Sequence, residues 1–266
     1  MIRYIDIHSH IHDREFDDDR EKVLFRMKEK GVATIAVGTH YESSKDAVAL
    51  SEKEHHVFAS VGLHPTDTKE DFNEKLYLDM AKNSRVVAIG ECGLDYFRGN
   101  IGEKEKERQK KIFSLQISLA LSVDKPLMIH GRPSRGSMDA YLDIIEILNQ
   151  YKKEHSGRLK GNIHFFSGNI EIAKKFLELG FTMSFTGVVT FTRDYDEIIR
   201  FLPITSIMAE TDAPYASPVP YRGKRNEPIY VIETTAKIAE IRGEKEETVA
   251  EALFKNAINI FGLRDF

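Results

Sequence analysis

One cysteine, Cys92, stands in 266 residues, so no disulfide can form within the chain and a reducing compartment is expected. No apolar run approaches the ~18 residues of a membrane span. The opening residues lack the basic-then-apolar order of a secretory leader, and cytoplasm is the expectation. Linkers rich in Pro, Gly or Ser are missing, as are low-complexity tracts and repeats of fixed period. Residues 1–266 therefore read as one domain. Basic charge is not in excess either: the net charge is −4. Proteins that coat nucleic acid are usually strongly basic, so any such contact here must be local. No outward apolar stripe demands an obligate protein partner.

What is present alternates. Short β-prone runs near 3–8, 34–37, 57–61, 85–89, 126–129, 162–165, 181–185 and 206–209 are each followed by a helical pattern. Two helices near 228–241 and 247–261 close the chain. Strict βα alternation implies a parallel sheet, and eight units suit closure. The fold class expected is α/β, a single (β/α)8 TIM barrel with an extra C-terminal helix. An open doubly wound sheet would want a Gly-rich turn after an early strand; the first strand ends instead in His8-Ser9-His10.

The polar residues fall at strand ends. Alternation along the first strand puts Asp6, His8 and His10 on one face, with Asp6 placed to orient an imidazole from behind. Glu91 follows the fourth strand, His130 the fifth, His164 the sixth and Asp212 the eighth. Strand C-termini of a barrel surround one mouth, the usual active site. Four imidazoles and two carboxylates converging there would waste their desolvation cost unless metal gave each a partner. Six ligands suit two divalent cations about 3.5–4 Å apart, and Glu91, central in strand order, is the natural bridge. Imidazoles favour Zn, Mn, Ni or Fe over Mg. His64 exceeds the ligand count and reads as an acid–base group, a phosphate contact or a residue packing its loop. His12, His55, His56 and His155 read as surface residues, and His40 as peripheral. Arg98, Arg132, Arg135, Arg193, Arg222, Lys224 and Arg225 follow strands, against a run of acids from Asp13 to Asp19. Guanidiniums in such places suit phosphate.

Six segments in order are specific: Asp6-Ile7-His8-Ser9-His10, Val61-Gly62-Leu63-His64-Pro65, Gly90-Glu91-Cys92-Gly93-Leu94-Asp95-Tyr96, His164-Phe165-Phe166-Ser167-Gly168, Glu210-Thr211-Asp212-Ala213-Pro214-Tyr215 and Arg222-Gly223-Lys224-Arg225-Asn226-Glu227-Pro228. On these the chain resembles, nearly end to end, the TatD-type metal-dependent deoxyribonucleases, a branch of the amidohydrolase-like barrels. The resemblance implies two metals, one held by His8, His10, Glu91 and Asp212, the other by Glu91, His130 and His164, with magnesium commonly used. It also implies DNA as substrate, as single strands or 3′ ends, hydrolysed by a 3′-to-5′ exonuclease. The chain departs from the family pattern in the loop 131–137, where extra Gly and Pro put substrate preference in doubt.

On this reading Asp212 takes the proton of the attacking water, Glu91 bridges the metals, and Arg132 or Arg222 offsets transition-state charge. His64 contacts the phosphate or helps the leaving oxygen. Opening of an amide, lactone or phosphotriester is the alternative, but many such barrels bridge their metals with a carbamylated Lys where this chain has Glu91. A metal-binding scaffold without chemistry is the other class, although no ligand position is lost.

Overall fold

The computed structural model describes residues 2–97, 101–155 and 157–264. Eight parallel strands form one sheet in sequence order: β1 (Tyr4–Ser9), β2 (Val32–Val37), β3 (Val57–Val61), β4 (Val86–Asp95), β5 (Leu127–Arg132), β6 (Gly161–His164), β7 (Thr182–Phe185) and β8 (Ile207–Ala209). Helices α1 (Arg20–Lys30), α2 (Tyr41–Lys53), α3 (Glu74–Ala81), α4 (Glu103–Ser122), α5 (Asp139–Glu154), α6 (Ile170–Glu178) and α7 (Asp196–Phe201) connect successive strands, and α8 (Val231–Arg242) and α9 (Glu246–Phe261) follow the last. This is the expected (β/α)8 barrel with its additional C-terminal helix. No helix among the described residues is long and apolar enough to cross a membrane.

Local chemistry sets the elements. In α6, the Asn169 side chain accepts the Ile172 N–H at 3.0 Å and so caps the first turn. Ile172, Ala173 and Phe176 then recur at helical spacing and are buried. Burying one such large side chain contributes about 2–3 kcal/mol. The main core lies where helices cover the sheet. A second cluster joins Ile5, Ile35, Phe58, Met128 and Met208 to Ala257 and Phe261 of α9. Side chains from so many strands meet only on the inner face of a barrel, so this set fills its axis.

Closure is made by the stretches that carry the polar residues. The Asp212 N–H donates to the His8 carbonyl at 2.9 Å, the His10 N–H to the Ala213 carbonyl at 2.7 Å, and Ser9 bridges Ala213. The ends of β1 and β8 are thus stitched together at the mouth.

Two strands depart from expectation. β4 runs on to Asp95, so Glu91 lies within it rather than after it. The register moves from Ile89↔Leu127 to Cys92↔Ile129, three residues against two, which is a bulge around Glu91. Gly90 (φ 151°) and Gly93 (φ 135°) flank it; a Cβ on either would collide with the carbonyl oxygen of Met128 or His130. β1 also slips, between Asp6 and Ser9. Simple alternation therefore fails there, and among the described residues Asp6 forms no hydrogen bond with an imidazole. Its carboxylate accepts from the Thr211 N–H (2.8 Å) and hydroxyl (2.7 Å), the Thr34 hydroxyl (3.2 Å) and the His8 N–H (3.3 Å). Asp6 anchors the backbone beside Asp212 instead of orienting a ring.

Candidate metal centre

Glu91 sits at the centre of the mouth, and its two oxygens face different imidazoles. Oε2 lies 3.4 Å from His8 Nε2 and 3.9 Å from His10 Nε2. Oε1 lies 2.8 Å from His130 Nδ1, 3.2 Å from His164 Nε2 and 3.3 Å from His64 Nε2. Asp212 Oδ1 approaches His10 Nε2 at 3.5 Å and His8 Nε2 at 3.9 Å. All six side chains expected from the strand ends come together, with His64 beside them. His8, Glu91 and His164 are buried.

The ring nitrogens turned away from Glu91 separate these imidazoles by role. His10 Nδ1 donates to the Val37 carbonyl at 2.8 Å. His130 Nε2 faces the Asp95 carboxylate at 3.1 Å, and His164 Nδ1 faces Glu210 at 3.3 Å. Acceptors behind the ring place the proton there and leave the inward nitrogen's lone pair free, as metal-ligating histidines require. His64 has the opposite polarity. Its Nδ1 accepts the Thr66 N–H at 3.2 Å, which leaves the proton on Nε2, facing Glu91. An Nε2 that carries a proton does not ligate.

Burial raises the Glu91 carboxyl, but His64, His164 and His8 outweigh it and hold it well below the usual range. Burial works against protonation of His164, yet Glu210 and Glu91 raise it well above its ordinary value. Burial and the neighbouring His164, whose ring stacks on it at 3.7 Å, push His8 down. Both ring nitrogens of His8 are buried without a hydrogen-bond partner. Such an imidazole has lost water without gaining a hydrogen bond, and a cation would restore the loss. His8, His10 and Glu91 bring donor atoms within 4.8 Å of one another, as do His8, His164 and Glu210. Mixed imidazole and carboxylate donors fit a divalent transition metal. Glu210, committed to the Phe165 N–H, Ser184 and His164 Nδ1, anchors its neighbours from behind.

A cleft of about 740 Å³ opens over the cluster. Among the described residues, Glu91, Asp212, Asp95, Asp13 and Asp67 line it against only Lys69 and Arg132, so acids outnumber bases on those walls. Arg222 is outside that lining; its guanidinium donates to the Ser217 carbonyl at 2.9 Å. Arg225 is bound to Asp19 and the Glu15 carbonyl and lies over the buried ring of Phe16, a structural clamp. Arg98 lies outside the described residues. His12 and His56, expected at the surface, are buried, His12 against the Ser43 hydroxyl at 2.9 Å. His40 caps α2 by accepting the Ser43 N–H. The supporting residues Asp95, Glu210 and Thr66 carried no separate signal. Each stands beside a candidate ligand or acid in sequence, but only geometry shows which nitrogen it meets.

The family model described as TatD related DNase matches residues 5–262. The chain is 34% identical over 261 residues to the uncharacterized metal-dependent hydrolase YabD of Bacillus subtilis, covering 96% of this chain and 98% of that one. It is 31% identical over 270 residues to the metal-dependent hydrolase YjjV of Escherichia coli, with 99% of each covered. The crystal structure of YjjV, a TatD homolog, superposes with a TM-score of 0.85 at 29% identity, over 98% of this chain and 99% of that one.

Proposed function

Because the chain belongs to the TatD related DNase family of metal-dependent hydrolases, we propose that it hydrolyses phosphodiester bonds in DNA at the barrel mouth. Single strands are the substrate, degraded from the 3′ end. The observation that carries this reading is the partition of Glu91, with Oε2 toward His8 and His10 and Oε1 toward His130 and His164. Two divalent ions fit that partition, one with His8, His10, Glu91 and Asp212, the other with Glu91, His130 and His164. When bound, such ions supply Lewis acidity toward the phosphate and the attacking water.

The chain's own groups perform the rest. Asp212, with Oδ1 turned to His8 and His10, accepts the proton of the attacking water. His64, its Nδ1 occupied by Thr66, presents its Nε2–H as a hydrogen-bond donor that offsets charge growing on the leaving oxygen. Arg132 on the cleft wall donates to a non-bridging phosphate oxygen. Asp95, the Val37 carbonyl and Glu210 keep three rings turned inward throughout. The acidic walls would repel a polyanion, so substrate binding depends on the ions.

Digestion of an end-labelled single strand, with a metal series and a chelator control, tests the reading. Metal-dependent shortening from the 3′ end is expected. Turnover of a lactone or cyclic amide with no cleavage of DNA would overturn it.

A further inference from the structure

We propose that the mouth carries two base-stacking platforms, the Phe97–Arg132 and Phe191–Arg222 pairs, on which bases of an unpaired strand lie as its backbone crosses the metal centre. The inference rests on the phosphodiesterase reading above and adds what recognises the strand. The Arg132 guanidinium lies 3.9 Å from the centre of the Phe97 ring, and Arg222 lies 3.9 Å from that of Phe191. Phe97 is 46% exposed and Phe191 43%, so each ring remains open to solvent beside its guanidinium.

Other cation–ring stacks in the molecule do not share these properties. Arg225 lies over Phe16, but that ring is fully buried and the guanidinium is tied to Asp19. Lys174 lies over the exposed Phe201, but as an ammonium paired with Glu171. Among the described residues, neither Arg132 nor Arg222 forms an ion pair with a carboxylate. Each therefore presents a planar cation with its charge unspent, beside a half-exposed ring.

Placement completes the case. Phe97 and Arg132 stand at the ends of β4 and β5, while Phe191 and Arg222 belong to the segments after β7 and β8. Arg132 lines the cleft itself, and Tyr195 and Tyr215, from the segments after β7 and β8, line it as well, while Phe97, Phe191 and Arg222 stand outside that lining. A strand crossing it passes Glu91 with a platform at each end. Stacking also resolves an electrostatic difficulty: the net charge is −4, and among the described residues the cleft wall offers phosphates only Lys69 and Arg132. Bases stack on aromatic and guanidinium planes without regard to sequence, which holds a single strand where charge alone would not.

Steady-state kinetics of the metal-loaded enzyme test the proposal, using a dinucleotide, a twelve-nucleotide strand and the same strand with abasic residues near its cleaved end. The abasic strand should show a KM about tenfold higher than the intact one with kcat little changed. Phe97→Ala should erase that difference, and Phe97→Trp should retain it. Phe191→Ala should raise KM for the long strand and leave the dinucleotide unaffected. Both rings are exposed, so unchanged thermal unfolding of the variants is expected and confirms their fold. Equal KM for intact and abasic strands, or wild-type kinetics in both alanine variants, would overturn the stacking inference while leaving phosphodiester hydrolysis standing. Failure of the wild type to cleave any of the three substrates would instead sink the underlying reading.

Discussion

Metal uptake should strengthen with pH, by an amount that the surroundings of His10 set. Burial alone would lower the pKa of this imidazole, but the Asp212 carboxylate at 3.5 Å and Glu91 hold it up to about 9. Only the neutral ring ligates, so proton and ion compete for Nε2. A raised pKa extends that competition upward: below about 9 the proton is present and must leave. At pH 7, about one His10 in a hundred is neutral, a handicap of roughly 3 kcal/mol. Affinity should therefore rise about tenfold per pH unit from this residue alone between pH 7 and 9. His130 and His164, also raised against their burial by neighbouring carboxylates, add to the slope. Chelator-stripped protein titrated with Mn²⁺ in a calorimeter at pH 6.5, 7.5 and 8.5, in two buffers of different protonation heat, reports both affinity and protons released. At least one proton per protein should be released. Asp212→Asn should weaken binding yet flatten its pH dependence. Equal affinity across this range, with no dependence on the buffer, would refute the reasoning.

Glu91→Ala removes the acid that five imidazoles face. Elemental analysis should find metal depleted and turnover abolished, while circular dichroism reports a folded barrel; retention of two ions and near-normal rate would show that Glu91 bridges nothing. His64→Ala should keep its metal and lose about 10²-fold in rate, and metal loss in this variant would place His64 among the ligands. Asp6→Ala leaves the buried Thr211 and His8 donors without an acceptor, while Thr34 keeps the Ser9 hydroxyl. Urea unfolding should show a loss of about 3 kcal/mol, accompanied by weaker metal binding although Asp6 is no ligand. A change below about 1 kcal/mol would mean that Asp6 is not what holds the Asp212 backbone.

The order of strands and helices, and hence the barrel, was legible because apolar periodicity and βα alternation are local properties written along the chain. The same is true of the six donor side chains: topology sends every strand C-terminus to one mouth, so a polar residue there has nowhere else to go. Tertiary structure alone decided the rest. The slip in β1 diverted Asp6 from an imidazole to Thr211, and the bulge in β4 drew Glu91 inside its strand. Both depend on how a neighbouring strand packs, which side-chain alternation does not encode. Which nitrogen of each ring faces inward was likewise invisible, because it is set by Val37, Asp95, Glu210 and Thr66, partners mostly distant in sequence. Arg222 and Arg225 read alike along the chain. Folding set one over Phe191 without an acid and locked the other to Asp19, since a guanidinium's role follows from the carboxylate it meets in space.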